Sequence, residues 1–277
     1  MEYLAKEFLE CEISALKSLI VRQTSTTNAE KPFHTELQTL LEAVPALETL
    51  CVTAIKAKLL PIDTICRHGR SLRYLHVDHF PNLHEYISRP LNKVERYTPQ
   101  ELEKLVSSCP NIEGLSLNLV GWDFGDFDID EIFALGETTW NDEGIMTIDS
   151  LLLPISRLRN LRNLRLTHPL IHPEDGHNDN FIVLKYQSRC QQVANAVMEF
   201  LVNNKSPIEL LAFGPGYWPH TIFPSDSYRD LNGHKIPHFY YRRGIATVSM
   251  RGGKQISRAL AVPVREESEH EEMLFWK

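Results

Sequence analysis

The chain has 277 residues, 43% hydrophobic and 23% charged, with a net charge of −7 at pH 7, which excludes a disordered polymer and argues against general nucleic-acid binding. No apolar run reaches the ~20 residues of a membrane helix, and residues 1–19 mix Glu and Lys into their apolar pattern, unlike a signal peptide. Five cysteines (Cys11, Cys51, Cys66, Cys109, Cys190) without paired spacing fit free thiols in a reducing compartment, so a cytoplasmic or nuclear protein is expected.

In chain order, the first element is a strand phrase, Ala15-Leu16-Lys17-Ser18-Leu19-Ile20-Val21. A helix follows over Thr35–Val44, with Leu37, Leu40, Leu41 and Val44 on one face at the i, i+3, i+4, i+7 spacing. It leads into Pro45-Ala46-Leu47-Glu48-Thr49-Leu50-Cys51-Val52, the clearest strand phrase. Pro61 suits a first helical position and Gly69 a helix end, and Ser71-Leu72-Arg73-Tyr74-Leu75-His76-Val77 repeats the strand phrase. Thr98-Pro99-Gln100-Glu101 reads as a capping box opening a helix that runs to Ser108 and stops before Cys109-Pro110. Asn111-Ile112-Glu113-Gly114-Leu115-Ser116-Leu117 is the next strand. An insertion over Trp122–Gly144, rich in Asp, Gly and aromatic residues, precedes a helix over Ser150–Leu158 that Pro154 interrupts or kinks.

Asn160-Leu161-Arg162-Asn163-Leu164-Arg165-Leu166 is the fifth copy of the strand phrase. After a second insertion over Leu170–Asn180 comes a helix over Ser188–Asn203 and a weaker copy, Pro207-Ile208-Glu209-Leu210-Leu211-Ala212-Phe213. Beyond it the pattern changes. Ile236–Val248 and Ser257–Val264 read as two strands joined by a turn at Arg251-Gly252-Gly253-Lys254, and the glutamates at 266, 267, 269, 271 and 272 form an acidic tail.

The shared frame is an apolar residue, two variable residues, Leu, one variable residue, and another apolar residue. Its first apolar positions are Leu16, Leu47, Leu72, Ile112, Leu161 and Ile208. A helix, a short turn and a short strand recur at uneven intervals. Each is stable only when its apolar side is covered by a neighbour, which implies an α/β solenoid of about six irregular units. The expected organisation is repeats over 1–213, a terminal unit with a β-hairpin over 214–265, and the acidic tail over 266–277.

These features together resemble the irregular leucine-rich repeats of fungal F-box/leucine-rich-repeat proteins. The helix of Thr98-Pro99-Gln100-Glu101-Leu102 ending in Cys109-Pro110 and running straight into the strand carries that resemblance, which covers Ile13 to Phe213. It implies a horseshoe with a concave parallel sheet and outer helices, closed here by the C-terminal hairpin. It also implies a non-enzymatic protein-binding function, substrate recognition as in a ubiquitin-ligase adaptor, without a cofactor. No F-box is recognisable before the first strand, so a Skp-type adaptor is an expected partner only if an F-box lies upstream.

Residues between inward apolar positions point out of the sheet. One row is Thr49, Tyr74, Gly114 and Asn163; the next is Cys51, His76, Ser116 and Arg165; the third is Thr53, Asp78, Asn118 and Thr167. A protein partner on this concave face is expected, with Tyr74 and Arg165 as anchors because Tyr and Arg are enriched among binding hot spots.

Other clusters are weaker. His168, His172 and His177 lie among acids but match no zinc-ligand spacing, and prolines prevent a helix that would align them. His76 and Asp78 share a strand face without a recognisable nucleophile. Arg157, Arg159, Arg162 and Arg165 form the densest basic cluster, and Arg251-Gly252-Gly253-Lys254 lacks the layout of a phosphate loop. A non-ligase scaffold and a metal-dependent enzyme built on the His-rich loop stay open as alternatives.

Overall fold

The computed structural model describes residues 15–22, 30–55, 60–80, 97–117, 148–166, 179–213, 240–249 and 255–264. They form a mixed α/β protein that divides into two compact units. Unit 1 comprises residues 1–119 and 157–161, and unit 2 comprises 120–156 and 162–277.

In unit 1 the order is β1 (Ser18–Arg22), α1 (Glu30–Ala43), β2 (Thr49–Ile55), α2 (Ile62–Cys66), β3 (Tyr74–Phe80), α3 (Pro99–Ser108) and β4 (Gly114–Leu117). The strands make a parallel sheet in chain order, each helix crossing from one strand to the next. The register follows the frame. Leu19, Leu50, Leu75 and Leu115 lie side by side, as do Val21, Val52, Val77 and Leu117. Leu47, Leu50, Leu72 and Ile112 are fully buried with Leu41 of α1, Ile65 of α2, and Leu102 and Leu105 of α3. Burying such side chains contributes about 1.5–3 kcal/mol each, which is what a short strand and a short helix need to hold together.

α3 forms as expected. The Thr98 hydroxyl accepts from the Glu101 amide at 3.2 Å, and the Glu101 carboxylate accepts from the Thr98 amide at 2.7 Å. α2 is shorter than a helix ending at Gly69, closing at Cys66 with turns behind it. Gly69 serves packing instead: a Cβ there would lie 2.1 Å from the Ser108 carbonyl oxygen, so only glycine lets this turn meet the end of α3.

Unit 2 contains α4 (Ile148–Ser156), β5 (Asn163–Leu166), α5 (Asp179–Asn203), β6 (Leu210–Phe213), β7 (Tyr240–Ser249) and β8 (Gln255–Pro263). Pro154 lies inside α4 and does not end it, the helix continuing to Ser156. α5 begins nine residues before the expected Ser188: no Gly or Pro interrupts 179–188, and Asp179 places an acid at the positive helix end.

β5 and β6 are parallel, whereas β6–β7 and β7–β8 are antiparallel. The expected parallel sheet is thus corrected to a mixed one. The change of direction coincides with the loss of the frame after Phe213, since an antiparallel strand needs no crossover helix. Tyr241 is buried on β7 and packs edge to face on Phe213, with ring centroids 5.8 Å apart.

Candidate partner-binding surface

The expected outward rows can be followed within each unit. In unit 1, Ser18, Thr49, Tyr74 and Gly114 are adjacent, then Ile20, Cys51, His76 and Ser116, then Arg22, Thr53 and Asp78. The alternation of the pleat puts all of these on one face. Asn118 and Thr167 lie outside the described residues, as does the side chain of Asp78.

Register and accessibility diverge in the middle row. Cys51 is 1% exposed, His76 5% and Ser116 3%, so these three side chains contribute burial, not free surface. His76 Nε2 lies 3.5 Å from the Thr53 hydroxyl. Thr49, Thr53 and Tyr74 remain partly accessible. In unit 2, Asn163 and Arg165 are likewise partly accessible, but their neighbours across the register are Leu210 and Ala212. Both are buried, with Tyr240 and Val264 packed on them. The row therefore turns apolar at β6.

Tyr74 is held by its surroundings. Its hydroxyl donates to Glu113 Oε2 at 3.0 Å, and Arg73 donates from Nε to Glu113 Oε1 at 2.9 Å. The Arg73 guanidinium also lies 5.4 Å from the Tyr74 ring centroid, a cation–π distance. One carboxylate and one guanidinium thus fix an aromatic ring at the start of β3, lowering the entropy it would lose against a partner.

Arg73 and Glu113 belong to a pattern that the strand phrase contains but that apolar spacing does not reveal. The residue after each first apolar position is Lys17, Glu48, Arg73, Glu113, Arg162 and Glu209, alternating in sign. Lys17 pairs with Glu48 at 3.4 Å and Arg73 with Glu113 at 2.8 Å in unit 1, while Arg162 pairs with Glu209 in unit 2. The backbone repeats too. The Lys17 carbonyl accepts from the amides of Glu48 and Thr49, that of Glu48 from Arg73 and Tyr74, and that of Arg73 from Glu113 and Gly114. One residue before the first apolar position, side chains reach back across the turn in three units of the frame: Ser71 donates to the Leu47 carbonyl, Asn111 to that of Arg70 and Asn160 to that of Pro110.

Beside this ladder unit 1 has an open cleft of about 500 Å³ lined by Glu48, Arg70, Ser71, Arg73, Asn111, Glu113 and Asn160. Its amides and paired charges are engaged as above. Arg70 is exposed and makes no ion pair among the described residues. The cleft therefore offers one guanidinium to a carboxylate or phosphate.

The arginine cluster divides. Arg157 binds both oxygens of Glu103, at 2.8 and 2.6 Å, within unit 1, and Arg162 is committed to Glu209 in unit 2. The His-rich loop of His168, His172 and His177, the Arg251–Lys254 turn, the 122–144 insertion and the acidic tail lie outside the described residues. Among the described residues no group of three or more His, Cys, Asp or Glu could hold a metal ion, and no helix is long and apolar enough to cross a membrane. No protein-family model matches the chain, and a search of curated proteins finds no match.

Proposed function

We propose that the protein is a leucine-rich-repeat-type module that recognises a protein partner through the outward sheet face and the adjoining charged turns. The observation that carries this reading is Tyr74, an aromatic ring clamped by Arg73 and Glu113 beside an open polar cleft. The repeated turn supports the repeat assignment: the same carbonyl accepts twice, and the same side-chain position reaches back, in successive units of the frame. A pre-set aromatic with Arg70 nearby suits a partner segment that presents an apolar residue next to an acid. The resemblance to fungal F-box/leucine-rich-repeat proteins carries the proposal one step further, to a ubiquitination substrate as the partner.

Tyr74→Ala and Arg165→Ala, singly and together, test the reading. Truncating a hot-spot side chain costs about 2 kcal/mol or more, roughly thirtyfold in Kd, while the circular-dichroism spectrum stays unchanged. Gln38→Ala, on the exposed side of α1, leaves affinity as it was. Equal affinity in all variants would remove the sheet face from the interaction. Co-purification with a Skp-type adaptor separates a ligase component from a scaffold.

A further inference from the structure

Folding brings together two cysteines that lie far apart in the chain. Cys66 ends α2 and Cys109 caps α3. Their backbones converge at Gly69, where the position a Cβ would take is 2.1 Å from the Ser108 carbonyl oxygen and 3.0 Å from that of Cys66. The Cys66 side chain reaches α3 as well: its thiol donates to the Lys104 carbonyl at 3.9 Å, in the helix that Cys109 caps, and Lys104 pairs with Asp63 between the same two helices. Cys109 is buried, whereas Cys66 is partly exposed.

We propose that Cys66 and Cys109 form a redox-modification site, which a hydroperoxide closes into an intrachain disulfide tying α2 to α3. Cys66 is the sulfur that meets the oxidant. Its thiolate attacks the terminal peroxide oxygen, the O–O bond breaks, and the other oxygen leaves as water or alcohol, giving the Cys66 sulfenic acid. The Cys109 sulfur then attacks Cys66 Sγ. The S–S bond forms, the S–O bond breaks, and the hydroxyl leaves as water with the Cys109 proton. Two thiols supply two electrons and one peroxide is consumed.

The order follows from the surroundings. Burial and the neighbouring Cys66 push the Cys109 thiol up to about 12, so Cys109 resolves and does not initiate.

The test treats the full chain with a small excess of hydrogen peroxide, alkylates remaining thiols without reductant, and maps tryptic peptides by mass spectrometry. The expected result is loss of two of the five thiols, with peptide 59–67 linked to the peptide beginning at Leu105 and released by dithiothreitol. Cys66→Ser leaves Cys109 open to alkylation, and Cys109→Ala leaves Cys66 as a sulfenic acid that dimedone captures. Three results overturn the proposal: Cys66 reaching sulfinic acid while Cys109 stays alkylatable, Cys66 linked to Cys11, Cys51 or Cys190, or Cys66 joining two chains. The wild-type map decides the question even if a variant fails to fold.

Discussion

His68 is 1% exposed, and neither ring nitrogen makes a well-formed hydrogen bond. Burial holds its pKa below the ordinary imidazole value, outweighing the opposing pull of the Leu41 carbonyl and aided by the charge of Arg67. The folded state therefore favours the neutral ring, and the unfolded chain takes up the proton first. Stability from this group is complete above the unfolded value of about 6.5 and is lost as pH falls through and below it. Urea midpoints measured between pH 7.5 and 5 should decline for the wild type more steeply than for His68→Phe, which fills the site without titrating. Parallel declines would show that His68 is not the proton acceptor. Tyr97 shows the contrasting solution, being 2% exposed with its hydroxyl donating to the Leu60 carbonyl at 2.9 Å. Neither residue stood out in the sequence, because their environments are made by chain segments distant from them.

At the scale of elements, β8 ends a sheet, and an open strand edge is a template for unwanted pairing. α5 covers it locally. The Ala261 amide donates to Asn195 Oδ1 at 3.0 Å, and its carbonyl accepts from Gln191 Nε2 at 2.8 Å. Gln191 and Asn195, one helical turn apart and themselves 3.2 Å from each other, stand where a further strand would pair. Ala261 is 1% exposed, so water cannot replace them freely. Gln191→Leu with Asn195→Leu should lower unfolding stability by about 1–3 kcal/mol for each orphaned group, and light scattering should detect faster aggregation. Unchanged stability would mean that the helix covers the edge without bonding to it. The helices were legible where their ends carry local signals, as in the capping box of Thr98 and Glu101. Their limits were illegible where packing decides, as in α4 running through Pro154. After α5, Lys205 takes a left-handed turn at φ 64° without the glycine that would mark it.

For the molecule as a whole, apolar alternation was enough to place the strands of unit 1 side by side in register, because a slip of one residue would turn Leu50 and Leu75 to the opposite face. The charge ladder was equally present in the sequence but lies at a position that apolar periodicity passes over. What alternation could not supply was accessibility: Cys51, His76 and Ser116 point outward by register and are still buried. A strand paired on both sides opens at greater cost than one paired on one side, so position in the sheet should set local opening. Among the described residues β1 pairs only with β2, Ile20 is 47% exposed, and Leu19 and Val21 are half-buried. β2 and β3 have a strand on each side, and Leu50, Val52, Leu75 and Val77 are all buried. Hydrogen exchange should therefore be roughly tenfold or more slower in β2 and β3 than in β1. In unit 2 the Ala261 amide should stay protected despite its edge position, because Asn195 accepts its proton. Uniform exchange across β1, β2 and β3 would mean that unit 1 opens as one block, and that its stability does not come from strand-by-strand stacking.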